Sequence, residues 1–171
     1  MTEVYVAAGS NIEPLRNLRK ALDVLASHFA PLRLSRAYRN SAVGFAGDDF
    51  VNLVVAFDTT RNVREVLERL HEAESACGRA RDAPKWAPRS MDLDVLLFGD
   101  MVCDEPGLAL PRPDLVRRPY MLRPMAELAP QRRHPTLGAT MGELWSALQD
   151  REAHPLHVVE LVWPDGGDAQ R

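Results

Sequence analysis

Two carboxylates stand two residues apart in Met91-Asp92-Leu93-Asp94-Val95-Leu96-Leu97-Phe98, an apolar run that reads as a strand. Side chains two apart on a strand leave from the same face, so Asp92 and Asp94 project together, their Cα atoms about 6.6 Å apart. Met91, Leu93, Val95 and Leu97 then point the other way, into the core. Like charges placed together repel unless something positive lies between them. Magnesium suits the position, because it takes one or two carboxylates and fills its shell with phosphate oxygens and water. A solvated polar face would also accommodate a bare D-x-D, but aspartate is depleted in strands and two in one strand require a cause. Just upstream stand Arg79, Arg81, Trp86 and Arg89. Guanidinium groups bind phosphate in a fork, and an indole stacks on a flat ring. The set is nucleotide-shaped. No G-x-x-x-x-G-K-[ST] loop occurs, and Gly9-Ser10-Asn11 lacks its lysine, so phosphate would be held by metal and arginine instead of a backbone cradle. These residues together read as an ATP- and magnesium-dependent kinase.

The elements that must position this pair follow from periodicity. Glu3 to Ala8 alternates, with Val4, Val6 and Ala8 on one face and Tyr5 and Ala7 on the other. From Pro14 to Phe29, Leu15, Leu18, Leu22, Leu25 and Phe29 recur at helical spacing, with proline in a first turn that tolerates it. Leu32 to Tyr38 and Phe50 to Asp58 read as the second and third strands, separated by a loop over Asn40 to Asp49. Asn62 followed by Glu65 is a capping-box-like start to a helix carrying Val63, Val66, Leu67, Leu70 and Ala73, and Gly78 is its stop. Pro84 and Pro88 predict a long mobile loop over Arg79 to Arg89. After the strand Met91 to Phe98 come a proline-rich connection, short helices near Tyr120 to Leu128 and Thr140 to Leu148, and a last strand near His157 to Trp163. The order β-α-β-β-α-β predicts an α+β, ferredoxin-like core with additional C-terminal helices and a strand. One domain over residues 1–171 is expected, with 165–171 fraying at the end.

A chain of 171 residues, 46% hydrophobic and 26% charged, has the composition of a globular protein large enough to bury a core. The formal net charge of −3 argues against a nucleic-acid binder, which carries a basic excess. No apolar run approaches the ~18 residues of a membrane span, and no signal-peptide pattern opens the chain. A cytoplasmic monomer is expected, with Cys77 and Cys103 as reduced thiols. Lys20 and Lys85 are the only lysines, so the positive charge is almost all arginine, the side chain suited to bidentate phosphate contacts.

Trp86-Ala87-Pro88-Arg89-Ser90-Met91-Asp92-Leu93-Asp94-Val95-Leu96-Leu97-Phe98-Gly99 resembles the W-x-P-R-x-x-D-L-D-I-x-L-F-G signature of the 6-hydroxymethyl-7,8-dihydropterin pyrophosphokinase family. Gly9-Ser10-Asn11, Tyr38-Arg39, Phe50-x-Asn52, Glu74 with Gly78-Arg79-x-Arg81, and Arg118-x-Tyr120-Met121-Leu122-x-Pro124 match it in order, over about three-quarters of the chain. The resemblance implies transfer of pyrophosphate from ATP to the hydroxymethyl oxygen of 6-hydroxymethyl-7,8-dihydropterin, with release of AMP and two magnesium ions. It implies that Asp92 and Asp94 ligate both ions and that Arg79 and Arg89 act on the phosphates. His71, Glu74, Arg81, Trp86, Val95, Arg112 and Arg118 fall where the family holds ATP. Phe50 and Tyr120 would sandwich the pterin, Asn52 would read its hydrogen-bonding edge, and Ala42, Val43 and Gly44 would contact the same ring.

Three positions depart from the family pattern. Arg112 stands where histidine is usual, Ser41-Ala42-Val43-Gly44 lacks the prolines often found before the glycine, and Phe50 replaces a common tyrosine. A divergent paralogue with altered pterin use and a metal-dependent phosphohydrolase are the alternatives. A ferredoxin-like RNA-binding module would need a basic surface and a K/R-G-F-x-F-like strand, and neither is present.

Overall fold

A computed structural model describes residues 1–41, 48–78, 90–149 and 152–163. The expectations placed on Ala42, Val43, Gly44, Arg79, Arg81, Trp86, Arg89 and the tail 165–171 lie outside the described residues.

Strand β1 (Thr2–Ser10) runs down the middle of the main sheet, flanked by β4 (Phe50–Thr59) and the edge strand β5 (Asp92–Phe98). Beyond β4 lie β3 (Ala37–Asn40) and then β8 (His157–Val159), giving the order β5-β1-β4-β3-β8, while the two-residue β2 (Arg33–Leu34) also pairs with β4. Every pairing is antiparallel. The β-α-β-β-α-β core is present, completed by α1 (Pro14–Phe29) and α2 (Val63–Ala76). The second strand is split, because Ser35 interrupts it by exchanging hydrogen bonds with Val54: Ser35 N–H donates to the Val54 carbonyl at 2.9 Å, and Val54 N–H donates to Ser35 Oγ at 2.9 Å.

Alternation in the strands builds two cores. Val4, Val6 and Ala8 pack with Leu18, Leu22 and Leu25 of α1 and Val66 and Leu70 of α2 on one face. Tyr5 and Ala7 pack on the other face with Val54, Ala56 and the helices α3 (Pro119–Leu128) and α4 (Met141–Ala147). The expected cap opens α2: Asn62 Oδ1 accepts the Glu65 N–H at 2.9 Å while Asn62 Nδ2 donates to Glu65 Oε1 at 2.8 Å, and Gly78 follows the helix at a φ of 87°. Thr140 caps α4 in the same way, its hydroxyl accepting the Glu143 N–H at 3.2 Å.

Three expectations need correction. The strand alternation breaks at Leu96, where the β1–β5 register skips one residue between Tyr5↔Leu97 and Val6↔Val95. This bulge turns Leu97 to the α3 face beside Leu96 and leaves Phe98 on the α1/α2 face, so Leu97 does not share a face with Met91, Leu93 and Val95. The proline-rich connection also holds a hairpin, β6 (Cys103–Glu105) with β7 (Leu108–Leu110), and a 3-10 turn over Pro113–Val116. Three-residue strands are too short to show a period. The last strand stops at Val159, yet Leu161 and Trp163 remain buried, with Trp163 Nε1–H donating to Asp23 Oδ1 at 2.8 Å.

Candidate active site

The sheet register aligns the predicted residues. Gly9 is opposite Asp92 on β5 and opposite Asn52 on β4, and Asn52 is opposite Tyr38 on β3. One row across four strands is therefore Asp92, Gly9, Asn52 and Tyr38. Asp94 lies one row along, opposite Ala7, and Phe50 lies one row to the other side, opposite Asn40. Ala7, Val54 and Leu96 carry this parity into the core beneath α3, so the aspartates, Asn52 and Phe50 all leave from the α3 face. Two inter-strand spacings put Asp92 and Asn52 ~10 Å apart, about the span of a bicyclic ring with one substituent.

Gly9 lies between them and leaves room for the Asn52 amide. A Cβ there would fall well inside 3.0 Å of Asn52 Oδ1, so the position is open only to glycine while Asn52 keeps its place. Ser10 ties this end of β1 to the segment before the aspartates, its hydroxyl donating to the Ser90 carbonyl at 2.7 Å.

Asp92 and Asp94 are both partly buried. Arg112 lies beside the second, with Nη2 at 3.4 Å from Asp94 Oδ1, and its backbone N–H donates to the Leu96 carbonyl at 3.0 Å. That backbone bond uses the edge of β5 to hold the arginine beside Asp94. Glu74 does similar work from α2. Its Oε2 accepts the Leu93 N–H at 3.0 Å, fixing the residue between the two aspartates. An edge strand leaves such N–H groups unpaired, and a carboxylate from a neighbouring helix satisfies one.

Tyr120 enters from the first turn of α3 and is partly buried. Burial pushes its phenol above the ordinary value of 10.0, Arg118 pulls it down, and Asp114, Asp94 and Asp92 add to the rise. The ring therefore lies within the electrostatic reach of both aspartates. Arg118 is exposed at the N-cap of α3, and its carbonyl accepts the N–H groups of Met121 and Leu122 at 3.0 and 2.9 Å. His71 on α2 has a buried Nδ1 with no hydrogen-bond partner among the described residues. Val95 is 4% exposed, and its side chain packs on the α1/α2 face, away from the aspartates.

The donor set fits a hard cation. Two carboxylates share a face and one already has a guanidinium beside it; among the described residues, no three His, Cys, Asp or Glu side chains come together. A magnesium ion held there would draw most of its shell from phosphate oxygens and water, which is its usual habit. Asn40, Gly9 and Ser10 are the contributors that sequence reasoning did not assign; Asn40 becomes visible only when the β3–β4 register places it opposite Phe50.

The fold and this face define a class: an α+β protein whose sheet presents paired carboxylates, a guanidinium, aromatic rings and an amide along one surface. A model of the family described as 7,8-dihydro-6-hydroxymethylpterin-pyrophosphokinase (HPPK) matches residues 5–130. A 2-amino-4-hydroxy-6-hydroxymethyldihydropteridine pyrophosphokinase of Pseudomonas aeruginosa is 40% identical over 149 residues, covering 84% of this chain and 90% of the relative. One of the same description from Bacillus subtilis is 35% identical over 131 residues, covering 74% of this chain and 78% of the relative. In fold, Plasmodium falciparum HPPK-DHPS superposes with a TM-score of 0.66 at 11% identity, over 85% of this chain and 44% of that one. The chain thus spans less than half the length of that structure. The chain belongs to the HPPK family, pyrophosphokinases of folate biosynthesis that act on a hydroxymethylpterin.

Proposed function

We propose that this protein transfers the terminal pyrophosphoryl group of ATP to the hydroxymethyl oxygen of 6-hydroxymethyl-7,8-dihydropterin, with Asp92 and Asp94 as the mount for two magnesium ions. The observation that carries this reading is the row Asp92, Gly9 and Asn52, with metal-type ligands at one end and a hydrogen-bonding amide at the other. Bound magnesium would neutralise charge on the attacking and leaving oxygens. The chain's own groups do the rest. Asn52 reads the ring edge, Phe50 and Tyr120 stack on its two faces, and Gly9, by leaving room for the Asn52 amide, lets the ring lie with its hydroxymethyl group towards Asp92. In this reading Ala42, Val43 and Gly44 contact the same ring. Bond formation is at the β-phosphorus and the α,β-bridging oxygen leaves with AMP, so positioning and charge matter more than any covalent step on the protein.

Arg79 and Arg89 supply positive charge to the phosphates, with Arg81 and Trp86 enclosing the nucleotide. Arg112 and Arg118 act on ATP from the other side, His71 from α2, and Val95, whose side chain faces away from the aspartates, through its backbone on β5. Glu74 contributes by holding β5 through Leu93. The protein works as a cytoplasmic monomer. Supporting that setting, both cysteines are free thiols and no helix among the described residues is long and apolar enough to cross a membrane.

Incubation with ATP, magnesium and 6-hydroxymethyl-7,8-dihydropterin tests the proposal, with nucleotide products separated chromatographically. AMP formed in step with a pyrophosphorylated pterin is the expected result. ADP and phosphate released without pterin would instead indicate a phosphohydrolase.

A further inference from the structure

We infer that Asn40 is a positioning residue for pterin selection, fixing which way round the Asn52 amide meets the ring. This rests on the reading of Asn52 as the contact to the pterin edge. Asn40 is the last residue of β3 and only 6% exposed. Its Nδ2 donates to the Ser41 carbonyl at 3.1 Å, which leaves its Oδ1 to face β4. There Oδ1 accepts from Asn52 Nδ2 at 2.6 Å.

A carboxamide has two chemically opposite ends, an acceptor and a double donor. Were Asn52 turned over, its oxygen would confront the oxygen of Asn40, and a buried hydrogen bond would give way to two unpaired acceptors. Gly9 completes the constraint, since Asn52 Oδ1 occupies the space a Cβ there would need. With one amide hydrogen committed to Asn40, Asn52 keeps one donor and one acceptor. That pair complements the lactam edge of a pterin, where a ring N–H adjoins a carbonyl. Asn40 sets this polarity without needing to touch the ring.

The test is a double-mutant cycle in the full-length protein, with Mg-ATP analogue present. The dissociation constant of 6-hydroxymethylpterin is read by its own fluorescence, and that of the nucleotide by calorimetry. Asn40→Ala is expected to weaken pterin binding about tenfold, the size of one oriented hydrogen bond. Asn52→Ala should weaken it at least as much, and the double variant no more than Asn52→Ala alone. Asn40→Asp, which keeps the acceptor facing Asn52, should retain more affinity than Asn40→Ala. Nucleotide affinity should stay constant throughout. Wild-type pterin affinity in Asn40→Ala, losses that simply add in the double variant, or a matching loss of nucleotide affinity would overturn the inference while Asn52 kept its role. Wild-type affinity in Asn52→Ala would overturn the reading of Asn52 itself, and this inference with it.

Discussion

Gly9 is small because Asn52 fills the space above it, and that geometry makes the position sensitive. Gly9→Ala would displace the Asn52 amide, so we expect the KM for pterin to rise about tenfold while the KM for ATP stays put, measured by steady-state kinetics. Arg112 has the opposite signature. Its guanidinium stands at 3.4 Å from Asp94 on the nucleotide side of the proposed site. Arg112→Ala should raise the KM for ATP several-fold, roughly the worth of one charge-assisted contact, and spare the pterin KM. Tyr120 carries a pH prediction. Burial raises its pKa above 10.0, and the nearby aspartates reinforce the shift, so the neutral phenol persists beyond the usual tyrosine range. A Tyr120→Phe variant should therefore keep the wild-type pH–rate profile up to pH ~10, since a neutral ring stacks the same way with or without its hydroxyl.

At the scale of elements, α3 must be fixed against the sheet for Tyr120 to oppose Phe50 as proposed, and Glu127 ties α3 to the sheet. Its carboxylate accepts from Arg36 Nε and Nη2, each at 3.1 Å, from the Arg36 backbone N–H at 2.9 Å, and from the buried Tyr38 hydroxyl. Burial alone would raise the Glu127 pKa, but these hydrogen bonds outweigh it and hold the carboxyl below its ordinary 4.5. A depressed carboxyl pKa favours the folded state above the unfolded value, and that benefit is lost as pH falls through the folded value. Glu127→Gln should therefore be about 1–3 kcal/mol less stable at neutral pH, with the gap narrowing on acidification below ordinary carboxylate pH. Thermal melts of both proteins across pH 3–7 would show this, and a pH-independent gap would count against it.

How far these elements could be read from sequence depended on length and on partner knowledge. The helix Pro14–Phe29 has several apolar turns and a first-turn proline, and its bounds match the periodicity. The face of Asp92 and Asp94 was legible because strand alternation is strict up to Val95. Leu97 was not, because a bulge depends on register with β1, which no single strand's pattern contains. Hairpin β6–β7 is too short to have a period, and the Glu127–Tyr38–Arg36 tie joins residues about ninety positions apart.

Across the whole molecule, the sheet lies between two helical layers with different tasks. The α1/α2 layer buries the larger core and supports β1 and β4 from behind. The α3/α4 layer packs on the other face, and the ends of β1, β4 and β5 outside that core carry Gly9, Phe50, Asn52, Asp92 and Asp94. The proposed site lies beside that second core. Replacing either carboxylate should thus remove chemistry without removing the fold, since neither core contains them. The decisive measurement is pyrophosphoryl transfer from ATP to 6-hydroxymethyl-7,8-dihydropterin by Asp92→Ala and Asp94→Ala, beside their melting temperatures and far-ultraviolet dichroism. We predict loss of turnover by at least about a thousandfold in each, the order expected when a principal source of electrostatic stabilisation is removed, with folding unchanged. Near-wild-type turnover in either variant would contradict the assignment of the paired aspartates as the metal mount.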